Sequence, residues 1–327
     1  VSVLGCAPVG AWWRVALYFP AVMSQLSTLF RIMIDTVLPI FVVVGLSLLL
    51  GRWRPLDINT LSRISIYLFS PALILVNISQ SHLPGRELGL IVLASIVVCI
   101  LLALSGSLIA RGLRYEPALA STFILTAFVM NSVNFGYPFI EFAFGKTGLE
   151  SAVAFSMGQV LMAYLVGTYV ASRGSGSWKS AVTNVITMPM PYAFALGLWL
   201  NVSGRTLPMP IVQASEVLAQ GAIAVMLIIL GLQLSHAQLA GRLRPIFVAT
   251  VVRFGLGAAV ALGVALLFGL QGVTRQVFIL EASMPAGVLS GVLSTEFGGD
   301  PEFAAATILV TTLLSALVLS GLFLLLG

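Results

Sequence analysis

Long apolar stretches alternate with short polar punctuation along nearly the whole chain. The apolar runs fall at about 32–51, 60–79, 88–110, 117–144, 149–171, 180–200, 212–235, 245–269, 273–296 and 302–326. Crossing the hydrocarbon core of a bilayer takes about 20 residues of helix, and each run supplies roughly that. Backbone inside hydrocarbon has to satisfy its own hydrogen bonds, so each run predicts a helix. The pattern therefore predicts an all-α membrane protein of ten transmembrane helices with short linkers.

A second pattern lies inside the first. The junction of runs four and five reads Phe144-Gly145-Lys146-Thr147-Gly148-Leu149-Glu150, and that of runs nine and ten reads Phe297-Gly298-Gly299-Asp300-Pro301-Glu302. Both have a Phe-Gly turn, a polar break and an acidic residue before small residues reopen a helix. Runs four and nine also carry a proline deep inside, Pro138 and Pro285. Two halves of five helices follow, 32–171 and 180–326. Because five is odd, the second half starts from the opposite face, which makes the repeat inverted, with broken, crossing helices four and nine. Such repeats are common in secondary transporters, where substrate sits near the midplane at discontinuous helices.

Composition narrows the class. Hydrophobic residues make up 59% of the 327 positions and charged residues 8%, against roughly 25% charge in an ordinary globular domain. So few charges cannot cover a watery surface, and a lipid bilayer is the implied surrounding. The net charge of +5 does not indicate a nucleic-acid partner, since the basic residues are scattered between apolar runs. Arg52, Arg54, Arg63, Arg111, Arg114, Arg173, Lys179, Arg242 and Arg244 fall on one side by alternation; Arg14, Arg31, Arg86, Lys146, Arg205 and Arg275 fall on the other. The excess on the first side predicts that it is cytoplasmic and that both termini lie outside. Residues 1–31 form an N-terminal segment. Its aromatic and proline-broken first 22 residues read as an interfacial stretch or, alternatively, as an overextended start ahead of Met23. Cys6 and Cys99 lie far apart and predict neither a disulfide framework nor a metal site.

An enzyme finds little support. His82 and His236 are the two histidines, in no metal-ligand spacing, and no glycine-rich phosphate loop is present. No cofactor is implied.

Several short motifs, in order along the chain, resemble those of the auxin efflux carrier family, which includes plant auxin carriers and bacterial dicarboxylate transporters. Met130-Asn131-Ser132-Val133-Asn134-Phe135-Gly136-Tyr137-Pro138 is similar to the family's Pro-Asn-Thr and Gly-x-Pro. Met188-Pro189-Met190-Pro191-Tyr192 is similar to its Asn-Pro-Asn-Thr-Tyr. Val252-Arg253-Phe254 with Gly257 resembles Arg-Phe-x-x-Gly, and Met284-Pro285-Ala286-Gly287 resembles Leu-Pro-x-Gly. Ser70-Pro71-Ala72-Leu73 matches the bacterial Pro-Ala-Leu. Met130 stands where the family has proline, Met190 and Pro191 stand where it has Asn-Thr, and the long cytoplasmic loop of the plant carriers is absent. The resemblance covers about residue 32 to the end. It implies a bacterial inner-membrane carrier of a small organic anion, working as a homodimer.

Candidate chemistry gathers at the prolines. Pro138 has no N–H for the carbonyl of Asn134, and Pro285 none for that of Glu281. Gly136, Pro138, Met284 and Pro285 are therefore the expected helix breaks. The helix start that follows a break carries partial positive charge suited to a carboxylate. Asn131, Ser132, Asn134 and Ser283, with the Pro285-Ala286-Gly287 backbone, form the expected substrate site. Prolines 39 and 71 are read as packing kinks. Of the ionisable residues inside the runs, Glu141 and Glu216 sit nearer the ends, whereas Glu281 and Arg253 are deep. Glu281 is the candidate for proton or sodium coupling, and Arg253 either attracts the anion or pairs with Glu281. A secondary active transporter of a carboxylate or auxin-like anion is the expected function. Rival readings are a sodium-coupled bile-acid-type symporter and a membrane sensor that binds such an anion without moving it.

Overall fold

The computed structural model describes residues 30–54, 56–172, 178–235 and 242–326. The N-terminal 22 residues, Arg14, Arg173 and His236 lie outside the described residues. The described chain is all-helical, without a named strand. Its helices are α1 (Phe30–Trp53), α2 (Ile58–Ser79), α3 (Gly85–Gly112), α4 (Pro117–Phe128), α5 (Ser132–Ala171), α6 (Trp178–Thr187), α7 (Pro189–Ser203), α8 (Met209–Ser235), α9 (Leu243–Leu267), α10 (Gly272–Ala282), α11 (Val288–Glu296) and α12 (Pro301–Leu326). Among them α1, α2, α3, α5, α8, α9 and α12 are long and apolar enough to cross a membrane.

Where an apolar run carries no break, helix and run agree to within about three residues, as for α3 and α12. The other runs resolve more finely. Run four splits into α4 and the start of α5, and runs four and five are then joined in α5. Gly145 (φ 65°, ψ −157°) is the non-helical residue that turns the chain within α5. The run at 180–200 is two helices hinged at Met188 (φ −81°, ψ 136°), and the run at 273–296 is α10 and α11.

Prolines 39, 71 and 138 share one local solution. Each lies two residues past a π-helical turn, Met33–Val37, Ser65–Phe69 and Ser132–Gly136. The widened turn is closed by i→i−5 bonds: Leu38 N–H donates to Met33, Ser70 N–H to Ser65, and Gly136 N–H to Asn131. A wide turn shifts the carbonyls that a proline ring would otherwise strike, so the helix continues instead of stopping. Prolines 39 and 71 thus follow wide turns that absorb them, in place of simple kinks.

The bundle packs α1 along α8, α2 against α7 and α8, and α3 against α5, with α9 and α10 beside them. Gly231 lets α8 touch α1, since a β-carbon there would strike the Val44 carbonyl. Large apolar side chains such as Leu46, Leu108 and Leu317 point outward, as a lipid-facing surface requires. A second apolar cluster, including Phe123, Ile246, Val252 and Phe303, closes one end where α4, α9 and α12 meet.

Candidate functional site: the crossing of two broken helices

Two helices stop inside the bundle. α4 ends at Phe128, and Val129–Asn131 run non-helically before the π-turn that opens α5. α10 ends at Ala282, and α11 begins at Val288. The two extended stretches pair as an isolated antiparallel bridge between Met130 and Ala286. Asn131 N–H donates to the Pro285 carbonyl (2.9 Å), and Gly287 N–H donates to the Val129 carbonyl (2.8 Å). Backbone groups that leave a helix in a water-poor interior need partners, and each break finds them in the other. On the far side of the bridge α12 helps, as Thr311 Oγ1 accepts from Ala286 N–H at 3.1 Å.

The breaks differ in part from the expected positions. Met284 and Pro285 do lie in the α10–α11 gap. However, the carbonyl of Glu281 is not left free by Pro285, because Met284 N–H donates to it (3.2 Å). Gly136 and Pro138 are not break points. Gly136 is helical (φ −63°, ψ −52°), and Pro138 sits in the first turn of the α-helical part of α5. The real break lies upstream at Val129–Asn131, where α4 ends. A proline two residues past a π-turn is absorbed without a stop.

Beside the bridge is a cavity of about 150 Å³, about the size that takes up benzene in a protein core. One wall is the crossing itself: Met130, Asn131, Ser132 and Asn134 from the start of α5, with Gly287 and Val288 from the start of α11. Both helices that begin at the breaks therefore open toward the same space. The other walls come from α2 (Ser65, Ser70), from α5 (Gln159, Tyr164) and from the α6–α7 hinge (Met188, Met190). No lysine, arginine or histidine is among the lining residues.

Two lining groups are buried and unpartnered among the described residues. Asn131, 5% exposed, has no acceptor for its Nδ2, and Ser70, 1% exposed, has no partner for its Oγ. A buried polar group without a partner costs about 1–3 kcal/mol. Ser132 is already engaged, donating through Oγ to Gln159 Oε1 (3.0 Å), and Gln159 Nε2 donates to the Met130 carbonyl (3.3 Å). Gln159 thus sets the shape of the crossing, while Asn131 and Ser70 keep capacity for a ligand. Of the expected site residues, Asn131, Ser132, Asn134 and Gly287 are brought together. Ser283, Pro285 and Ala286 do not line the cavity: Ser283 donates to Ile279 O (2.7 Å), and the other two serve the bridge and α12.

The two deep charges lie on other sides of the crossing. Arg253, fully buried in the π-turn Val252–Leu256 of α9, donates through Nη1 to the Ala127 carbonyl (2.6 Å) and through Nη2 to the Ala282 carbonyl. It neither lines the cavity nor pairs with Glu281. Among the described residues the ion pair is Arg242 with Asp300, at 3.6 Å. Arg253 instead caps the C-terminal ends of α4 and α10, where carbonyls lack intrahelical partners. Glu281 is also fully buried, and both its carboxyl oxygens are without a hydrogen-bond partner among the described residues. They would stand 2.6 and 2.7 Å from a β-carbon at Gly136, so any larger residue there displaces the carboxyl.

A second, polar cavity of about 420 Å³ lies further along α2, lined among others by Asn77, His82, Glu141, Lys146, Glu150 and Glu216. Glu141 and Glu216 belong to it and not to the crossing. Glu150, whose sequence context marks only a helix start, is buried and holds the α2–α3 turn on α5 by accepting from Ser81 Oγ (2.6 Å) and His82 N–H (3.1 Å). Gln159, Ser65, Ser70 and Tyr164 are polar lining residues that the expected site lacks. The signal for Gln159 was a long polar side chain within an apolar run; for Ser70 it was the adjoining Pro71.

A family profile described as membrane transport protein matches residues 32–323. A protein of Methanothermobacter thermautotrophicus named an uncharacterized transporter is 28% identical over 290 residues, which cover 86% of this chain and 94% of that protein. Another of the same description, from Methanocaldococcus jannaschii, is 27% identical over 289 residues, with the same shares covered.

Proposed function

The chain belongs to the membrane transport protein family of auxin efflux carriers, and from that premise we propose that it is a secondary active transporter of a small organic anion, held in the cavity beside the crossing. The observation that carries this reading is the unpartnered Asn131 amide at the point where two helices begin. Each helix start carries about half a positive charge, so two of them suit roughly one carboxylate. The amide adds a donor without a fixed charge, which lets the site release what it binds. With the apolar walls and the absence of basic lining residues, a singly charged ligand with a compact apolar body is favoured over a dianion.

The architecture behind this proposal is ten membrane-crossing segments in two inverted halves, 32–171 and 180–326. Supporting it, α4 with the start of α5 matches α10 with α11, the two breaks pair antiparallel, and the turns that follow both place a glycine at positive φ, Gly145 and Gly298. The proposed orientation puts the Arg52–Arg54 and Arg242–Arg244 loops in the cytoplasm. Single cysteines placed there, in a chain lacking Cys6 and Cys99, should resist an impermeant thiol reagent outside intact cells. Ready labelling of both reverses the orientation.

Glu281 is the proposed coupling group. An ionised carboxylate buried without a partner costs of order several kcal/mol, a demand that a bound proton or sodium ion meets. In sealed proteoliposomes the protein should accumulate a monocarboxylate under an imposed proton or sodium gradient. Glu281→Gln should lose that accumulation while keeping saturable binding. Saturable binding with no accumulation by the parent identifies a sensor instead, and accumulation by Glu281→Gln equal to the parent's assigns coupling elsewhere.

A further inference from the structure

The broken helices leave two negative ends as well as two positive ones. Ala127 and Ala282 lie at corresponding places, one residue before the end of α4 and at the end of α10. Several neighbouring carbonyls at these ends find backbone donors: Leu125 accepts from Val129, Ile279 and Leu280 from Ser283, and Glu281 from Met284. Ala127 and Ala282 accept from one guanidinium, that of Arg253. Each helix C-terminus carries about half a negative charge, so the pair together matches the single charge of arginine. This explains how a fully buried cation persists without a carboxylate partner.

We propose that Arg253 is a positioning residue for the transport site: its two-armed guanidinium clamps the ends of α4 and α10 and so holds the backbone bridge that shapes the cavity at Asn131 and Gly287. The proposal rests on the reading of that cavity as the substrate site. Ala127 is two residues before Val129, and Ala282 three before Pro285, and these two supply the acceptor carbonyls of the bridge. Tying the ends together therefore sets the separation of the two strands. A planar fork can hold two carbonyls at a fixed spacing, whereas the compact ammonium of lysine cannot. Gly257, one turn along α9, keeps room for the fork: a β-carbon there would stand 2.6 Å from Nη2 and 3.0 Å from the Ala282 carbonyl. Gly255, two residues earlier, faces open space, with nothing within 4 Å of a β-carbon.

The test compares Arg253→Lys, Gly257→Ala and, as control, Gly255→Ala in the full-length protein in nanodiscs. Hydrogen exchange is followed at the Asn131 and Gly287 amides, which donate across the bridge, and benzoate binding is measured by calorimetry. Arg253→Lys and Gly257→Ala should speed exchange at those two amides about tenfold or more, as expected for losing a hydrogen bond to a charged group. Exchange in α1 and α8 should not change, and benzoate should bind about tenfold more weakly. Gly255→Ala should match the parent on both counts. Unchanged exchange at Asn131 and Gly287 in a folded Arg253→Lys or Gly257→Ala protein overturns the clamp. So does a uniform rise across all helices, which marks general destabilisation. Failure of the parent to bind any tested monocarboxylate sinks the site reading, and the exchange result still decides the clamp.

Discussion

On one face of the crossing, two helix ends turn their carbonyls to a single arginine, whose Nη1 and Nη2 are both engaged. On the other face, two helix starts turn toward a cavity, and two buried polar groups there, Asn131 Nδ2 and Ser70 Oγ, have none. The faces share the same two backbone breaks yet differ in how the charge of the helix ends is answered. Where the answer is a side chain of the protein, the result is a fixed joint. Where it is left open, the capacity remains for a solute. A carrier needs both, since a site that satisfied itself would have no use for substrate, and a crossing with no fixed side would not hold its shape.

The strongest way to break this contrast is to answer the open face permanently. Asn131→Asp places a carboxylate at the two helix starts, where it competes with an anion and repels it. Juxtaposed like charges cost several kcal/mol, so calorimetry should show monocarboxylate binding lost at any practical concentration. Binding at parental affinity would mean that the anion sits elsewhere. Asn131→Ala removes only the donor and should weaken binding by about 1.5–3 kcal/mol, or one to two decades. If it binds every tested anion as tightly as the parent while folded, Asn131 is not a ligand.

A finer cut sharpens the same contrast. Ser70→Ala should cost about 0.5–1.5 kcal/mol, the worth of one neutral hydrogen bond, and only for ligands with a second polar group to meet the hydroxyl. For benzoate it should be near neutral. An equal loss for benzoate and for hydroxybenzoates would make Ser70 a packing residue. Asn77→Ala is the control, because Asn77 donates to the Leu73 carbonyl (2.9 Å) and lines the other cavity. It should leave binding unchanged.

Much of the molecule could be read from the order of its residues because the bilayer is a severe solvent. A chain with 8% charge has to place its apolar runs in lipid, and backbone in lipid has to be helical. Membrane class, the unbroken helices and the neighbourhood of Asn131, Ser132, Asn134 and Gly287 follow from that constraint and from local proline chemistry. Local chemistry also misled. Pro138 has every mark of a helix break, yet a π-turn absorbs it, and the break falls at Val129–Asn131, where no residue is a strong helix breaker. That segment leaves the helix because its hydrogen bonds are made by Pro285 and Gly287, about 155 residues away. Arg253 and Glu281 have opposite charges and invite pairing on paper. In the folded chain the cation goes to two helix ends, and the carboxyl rests against Gly136. Which partner answers a buried charge depends on which backbone groups the packing leaves open, and those exist only after distant helices have met.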